Sequence, residues 1–162
     1  MSPFRGRASS GGDDTVPGSG SSLYTVKFSE MPDFLKNSLF VAAGGALGTL
    51  FRHLINVTTF IPAWPVGTII ENLTGALLLG LVAGWLATRK TAPDWVRAGI
   101  GVGFCGGYTT MSTFAADSFV VHVHQAPAWA AGYVAVSLVF GLLFAWAGLA
   151  AGREYGEARR QQ

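Results

Sequence analysis

Four long stretches of the chain are almost free of charged residues, and their length limits the possible folds more than any other feature. They run approximately over residues 37–59, 65–88, 95–123 and 127–151. The hydrocarbon core of a bilayer is about 30 Å thick and takes about 20 apolar residues per helical crossing. Because only 12% of the residues are charged, we predict an all-α integral membrane protein with four membrane-spanning helices.

The segments around these stretches define three parts of the chain. The connections between the stretches are short and rich in proline, which predicts an up-and-down path of neighbouring helices. Residues 1–35 are rich in Gly, Ser and Pro and are predicted to be a disordered tail. Residues 36–152 form the four-helix domain, and residues 153–162 are expected to be a basic C-terminal tail.

The basic residues are distributed unevenly about the predicted membrane. With four crossings, both termini and the second connection share one side, and the opposite side has only Arg52. The basic residues on the first side include Lys27, Lys36, Arg89, Lys90, Arg97, Arg153, Arg159 and Arg160. Cytoplasmic segments carry an excess of Lys and Arg. Both termini are therefore predicted to be cytoplasmic, in a multi-pass protein of the plasma membrane.

The third stretch contains the segment GFCGGYTTMSTF, residues 103–114, which is unusual for a helix in lipid. Gly106 lies about 16 Å along this helix, close to the bilayer midplane. Gly106 and Gly107 are poor helix formers, and the hydroxyl groups that follow them can replace lost backbone partners. We therefore expect the third helix to be broken near the midplane, where carbonyls can hold a cation. A kinked helix with no bound ion is the alternative.

The second stretch places polar residues at membrane depth. Asn72 has an amide that donates two hydrogen bonds, which suits a small anion, although a bond between helices is an equally simple interpretation. The neighbouring Glu71 would repel an anion. Since Arg52 lies about level with Glu71 on the preceding antiparallel helix, we hypothesise an ion pair between Arg52 and Glu71.

Glycines at four-residue spacing recur in the first three stretches. This spacing lets helix backbones approach closely in lipid. The glycines concerned are Gly44 and Gly48, Gly80 and Gly84, and Gly99, Gly103 and Gly107.

Three motifs, in this order, resemble the Fluc/CrcB fluoride channel family. They are GGALGTLFRH from Gly44, PVGTIIENLTGALLLG from Pro65 and GFCGGYTTMSTF from Gly103. The resemblance covers about residues 37–150. It implies an antiparallel dimer with two narrow fluoride pores and a structural sodium ion at its centre. It also implies passive export of cytoplasmic fluoride, and no enzymatic activity or nucleic-acid partner is expected.

The family's functional positions can be carried over by motif. The resemblance implies that backbone carbonyls of Gly106 and Thr109 hold the sodium ion. It places Asn72 at the pore asparagine. Two pore phenylalanines of the family correspond to Met111 and Phe114. The polar track that follows the break in the family corresponds to Ser112 and Thr113. The neutral donors could replace the water of a strongly hydrated fluoride ion while still letting it leave.

Three positions depart from the family pattern. Met111 lacks the positive edge of an aromatic ring, so its pore site is weakened or supplied by another subunit. Glu71 stands where an aliphatic residue is usual, and Asp117 replaces a glutamate. Arg52, Glu71 and Asp117 are interpreted as structural polar residues.

The charge distribution also bears on the partner. An antiparallel homodimer needs one sequence that inserts both ways, and the strong bias of this chain predicts a single orientation. We therefore expect a heterodimer with an oppositely oriented family subunit, although the basic tails could instead bind anionic lipid. Two other functions are considered: a small proton-coupled multidrug exporter, and a non-conducting partner subunit of a heteromeric channel.

Overall fold

The computed structural model describes residues 32–62, 64–89 and 93–161. The tail predicted over residues 1–35 lies almost entirely outside these described residues. Three long helices dominate the fold: α1 (Asp33–Thr58), α2 (Val66–Ala87) and α5 (Pro127–Ala158). Pro127 is the first residue of α5, a position where its missing N–H has no cost.

Between α2 and α5 the chain forms two shorter helices. The helix α3 consists of three consecutive segments, Asp94–Val96, the π-helical Arg97–Cys105, and Gly106–Tyr108. Thr109 and Thr110 are extended, with ψ angles of 157° and 125°, and α4 follows as Met111–His124. The Thr110 side chain caps α4 by accepting a hydrogen bond from the Thr113 N–H at 3.1 Å.

The position of this interruption corrects one expectation. Gly106 and Gly107 do not interrupt the helix; Gly106 has helical angles of −66° and −33°. Gly107 instead permits close packing, because a Cβ at this position would collide with the backbone of Gly45 on α1. The interruption begins two residues later, at Thr109.

Three of the described helices, α1, α2 and α5, are long and apolar enough to cross a membrane. The helix α4 has 14 residues, and no segment of α3 exceeds nine, so neither meets the same criterion separately. The three apolar helices make the chain a multi-pass membrane protein. A fourth crossing stays a prediction, because α3 and α4 would have to span the membrane jointly.

Glycines bring the helix backbones into direct contact, as their spacing predicted. A Cβ at Gly80 or Gly84 of α2 would collide with the α5 backbone, at the carbonyls of Ala145 and Leu149 respectively. Gly44 and Gly48 of α1 face α3 in the same manner. The pair of α2 and α5 is the most extensive helix contact. This contact fixes α2, which carries Asn72.

The last helix extends beyond its predicted end. The sequence placed a basic tail from residue 153, but α5 continues to Ala158. Gly152 and Gly156 are buried, and a Cβ at Gly156 would collide with the Thr88 side chain. Close packing against the end of α2 therefore holds the additional turns of α5.

Candidate functional site

The interruption at Thr109 and Thr110 lies beside Asn72, and together they border a cavity of about 250 Å³. We call it the asparagine cavity. Its lining residues are Asn72, Thr109, Thr110, Met111, Phe114, Ser137 and Leu138. Three of the predicted pore residues, Asn72, Met111 and Phe114, thus lie around one space. Ser137 of α5 was missed by the sequence analysis, because a single serine in an apolar helix gives no distinct signal.

The Asn72 side chain holds the extended segment by a pair of hydrogen bonds. Asn72 Nδ2 donates to the Thr110 carbonyl at 3.1 Å, and the Thr110 N–H donates to Asn72 Oδ1 at 2.9 Å. Both backbone polar groups of Thr110 are satisfied in this way without a helix. An amide nitrogen has two hydrogens, so one N–H of Asn72 remains as a donor for another group.

This pairing also affects the Gly106 carbonyl. In an uninterrupted helix the Thr110 N–H would donate to the Gly106 carbonyl, four residues earlier. Here that N–H donates to Asn72, so the bond to Gly106 is not formed. Gly106 is exposed, and no atom lies within 4 Å of the place where its Cβ would be. A carbonyl that lacks its helical bond, in an exposed residue, suits a monovalent cation, which is the role that the resemblance implies for Gly106 and Thr109.

The hydroxyl groups at the start of α4 form a connected cluster around Thr110. Thr110 Oγ1 donates to Thr113 Oγ1 at 3.0 Å and lies 3.2 Å from Ser112 Oγ. Ser112 is exposed, whereas Thr113 lines a second cavity on the other side of α4. The structure therefore places Ser112 and Thr113 next to the asparagine cavity but not among the residues that line it.

Met111 and Phe114 have different surroundings within the chain. Met111 is 74% exposed. Phe114 is buried and packs on the Tyr133 ring of α5, with the ring centroids 5.2 Å apart. The Met111 side chain is thus available to a molecule outside this chain, while Phe114 is fixed by contacts within the chain.

The second cavity has a volume of about 230 Å³ and lies between the end of α1, the start of α2 and α4. We call it the polar cavity. Its polar lining residues include Asn56, Thr59, Thr68, Thr113 and Asp117. Thr68 Oγ1 donates to Asp117 Oδ2 at 2.5 Å, which links α2 to α4.

The expected ion pair between Arg52 and Glu71 is wrong. Glu71 is fully buried, and its Oε2 accepts a hydrogen bond from Asn56 Nδ2 at 2.7 Å. Within the described ranges the single ion pair is that between Lys36 and Asp33. Asn56 lies one helical turn after Arg52, on the same face of α1. The prediction therefore identified the correct face of α1 but not the residue that reaches the carboxylate.

The cavities have the chemistry of a binding or transport site for a small ion. Their polar groups are neutral amides and hydroxyls, apart from Asp117. No group of three or more His, Cys, Asp or Glu side chains that could hold a metal ion occurs in the part of the chain that the structure describes. A sodium ion would instead need backbone carbonyls such as those of Gly106 and Thr109.

Apolar crossing helices, an interrupted helical segment and a cavity bordered by neutral donors define a small multi-pass membrane protein with a polar site at the interruption. Residues 39–149 match the family model described as "CrcB-like protein, Camphor Resistance (CrcB)", and the chain belongs to this family.

Three curated relatives carry a more specific name. The "Fluoride-specific ion channel FluC 2" of Halalkalibacterium halodurans is 39% identical over 82% of this chain and 97% of its own length. The "Fluoride-specific ion channel FluC" of Caulobacter sp. (strain K31) is 44% identical over 68% of this chain and 90% of its own length. The "Fluoride-specific ion channel FluC 2" of Bacillus subtilis (strain 168) is 41% identical over 70% of this chain and 85% of its own length. These relatives are ion channels by name, which confirms the expectation that the chain belongs with channels and not with enzymes.

Proposed function

We propose that the chain is a subunit of a fluoride-selective channel through which cytoplasmic fluoride leaves the cell passively, down its gradient. The observation that supports this most directly is the asparagine cavity, in which Asn72 keeps one N–H donor beside the interruption. Fluoride is small and strongly hydrated, so its pathway must replace water by donors that do not hold the ion permanently. The names of the curated relatives support fluoride as the ion.

In this proposal α3 and α4 together make the fourth crossing, with the interruption near the bilayer midplane. Asn72, Ser112 and Thr113 supply neutral donors, and the Phe114 ring offers its positive edge to the anion. The exposed Met111 reaches into the neighbouring subunit, because its own subunit does not enclose it. Two antiparallel subunits meet at the interruption, and carbonyls of Gly106 and Thr109 hold a structural sodium ion between them.

The partner in this dimer is an oppositely oriented family subunit and not a second copy of this chain. The basic residues near the predicted membrane, eight on one side and one on the other, favour a single orientation with cytoplasmic termini. Binding of anionic lipid by the basic segments is the competing explanation for the same charges.

A sidedness experiment tests the single orientation. We expect tags at the N-terminus and the C-terminus to be protected from impermeant reagents in intact cells of every preparation. A control tag between α1 and α2, in the loop around Pro62, should be fully labelled. A population in which all three tags are partly labelled would mean that the chain inserts both ways, and the heterodimer proposal would be abandoned.

Ion efflux from liposomes tests the channel function. We expect vesicles that contain this chain together with a family subunit of opposite charge bias to release fluoride and to retain chloride. The chain alone should release neither ion, because the antiparallel partner is absent. Selective fluoride release by the purified chain alone would refute the heterodimer and support a channel made of one sequence. Release of chloride at a similar rate would refute fluoride selectivity.

A further inference from the structure

A buried carboxyl group with no part in the proposed pathway lies directly before Asn72. The Glu71 side chain is fully buried. Its Oε2 accepts the bond from Asn56, and its Oε1 has no hydrogen-bond partner among the residues that the structure describes. The charge of a buried group is screened only weakly. Gain or loss of a proton at Glu71 therefore changes the surrounding potential far more than the same event at an exposed acid.

The charged groups that face Glu71 have opposite signs. Arg52 of α1 and Asp117 of α4 both act on it electrostatically, and Arg52 does so without an ion pair. From α5, the Tyr133 hydroxyl is within electrostatic range of both Glu71 and Asp117. That hydroxyl is buried and has no partner within the described part of the chain. Because the positive charge of Arg52 and the negative charge of Asp117 offset each other, the net charge of this region depends on whether Glu71 carries a proton.

The remaining helix in contact with α2 has less influence on this carboxyl. The titratable group of α3 that is hydrogen-bonded to α2 is Tyr108, whose hydroxyl lies 2.8 Å from Thr74 Oγ1. Thr74 lies about one turn after Glu71 along α2, whereas Thr68, which binds Asp117, lies about one turn before it. The hydrogen bond of Tyr108 is thus made to Thr74 and not to Glu71.

Glu71 lies between the two cavities along α2. Thr68, which borders the polar cavity, is three residues earlier, and Asn72, which borders the asparagine cavity, is the next residue. Consecutive Cα atoms are 3.8 Å apart. A fluoride ion that passes from one cavity toward the other therefore comes within the range of any negative charge on Glu71.

We propose that Glu71 is a proton-binding site that regulates this pathway: fluoride passes faster when the carboxyl group is neutral. The inference rests on the proposed fluoride function. A proton from the aqueous phase binds a carboxylate oxygen and leaves again, and no other bond changes. A unit charge about 10 Å from the anion, at an effective dielectric constant of about 20, corresponds to about a tenfold change in rate.

Fluoride efflux as a function of pH tests the proposal, in liposomes that also contain the partner subunit if efflux requires one. Protein-free vesicles at each pH correct for passage of the undissociated acid. We expect wild-type flux to fall about tenfold as the pH rises and the carboxyl loses its proton. Glu71→Gln has nearly the same shape and keeps an oxygen for the Asn56 donor. Its flux should stay at the high value at every pH.

The matched control is Asp117→Asn, which removes the other carboxylate but keeps an acceptor for Thr68. This variant should retain the pH dependence. If Glu71→Gln still depends on pH, or if Asp117→Asn abolishes the dependence, the assignment to Glu71 is overturned.

An infrared measurement gives a second readout that does not require flux. The difference spectrum between the wild-type protein and Glu71→Gln should contain one titrating carbonyl stretching band of a protonated carboxyl, and Asp117→Asn should keep that band. Absence of any titrating band that Glu71→Gln lacks would overturn the proposal. Absence of flux at every pH in the wild type would instead refute the fluoride function, and the infrared titration would then decide the proton site alone.

Discussion

Replacing Gly148 by alanine should destabilise the protein by about 1–3 kcal/mol, because one added methyl group would overpack the contact between α2 and α5. The new Cβ would collide with the Leu77 carbonyl oxygen and lie 2.9 Å from the Leu81 nitrogen. Both atoms belong to the α2 backbone, which cannot turn aside as a side chain can. Denaturant or thermal unfolding of the protein in detergent micelles measures the loss.

The matched control for this variant is Gly132→Ala, on the same helix. No atom lies within 4 Å of a Cβ at Gly132, so the substitution adds no collision. Alanine is also favoured over glycine inside a helix, by up to about 1 kcal/mol. Gly132→Ala should therefore be as stable as the wild type or slightly more stable. Equal stability of the two variants would show that backbone contact at Gly148 does not limit the packing of α2 on α5.

The general architecture could be predicted because the bilayer restricts it so strongly. An apolar run of about 20 residues has few alternatives to a crossing helix. The helices α1 and α2 follow the predicted stretches closely, and α5 begins at the predicted residue. Glycines at four-residue spacing likewise identified surfaces of close approach on α1 and α2. Both signals are local, since each is carried by residues within one helix.

The details that the sequence did not provide depend on contacts between helices. The paired glycines indicated an interruption at Gly106, but the chain leaves the helix where Asn72 of α2 can satisfy the backbone of Thr110. The carboxylate of Glu71 was assigned to Arg52, while the rotation of α1 brings Asn56 to it instead. Propensity and spacing do not contain such information, because it arises from the relative rotation and depth of two packed helices.

The C-terminal end of α5 illustrates the same limit. Charged residues from Arg153 onward predicted a tail. Helix α5 nevertheless continues, because Gly152 and Gly156 pack against the last turns of α2. Contact with a neighbouring helix therefore decides where the helix ends, and the local polarity of the sequence does not.

Asn72→Ala should reduce fluoride flux by about a hundredfold while the other helix contacts remain. The substitution removes two hydrogen bonds to Thr110 and leaves its N–H and carbonyl without these partners. An unsatisfied buried group costs about 1–3 kcal/mol, and 1.4 kcal/mol corresponds to a factor of ten. The substitution also removes the N–H donor beside the cavity. Efflux measured with a fluoride electrode, in the assembly that conducts, gives the rate.

A control on the same helix separates this effect from the general loss of a polar side chain. Thr74 donates to the Ile70 carbonyl at 2.6 Å and contacts the Tyr108 hydroxyl, but it is not among the residues that line the asparagine cavity. Valine has nearly the same size and shape as threonine, so Thr74→Val removes only the hydroxyl group. It should change the flux by no more than about threefold. Because Asn72 both holds the interruption and faces the cavity, its loss should affect flux far more. Wild-type flux in Asn72→Ala would mean that neither role limits permeation.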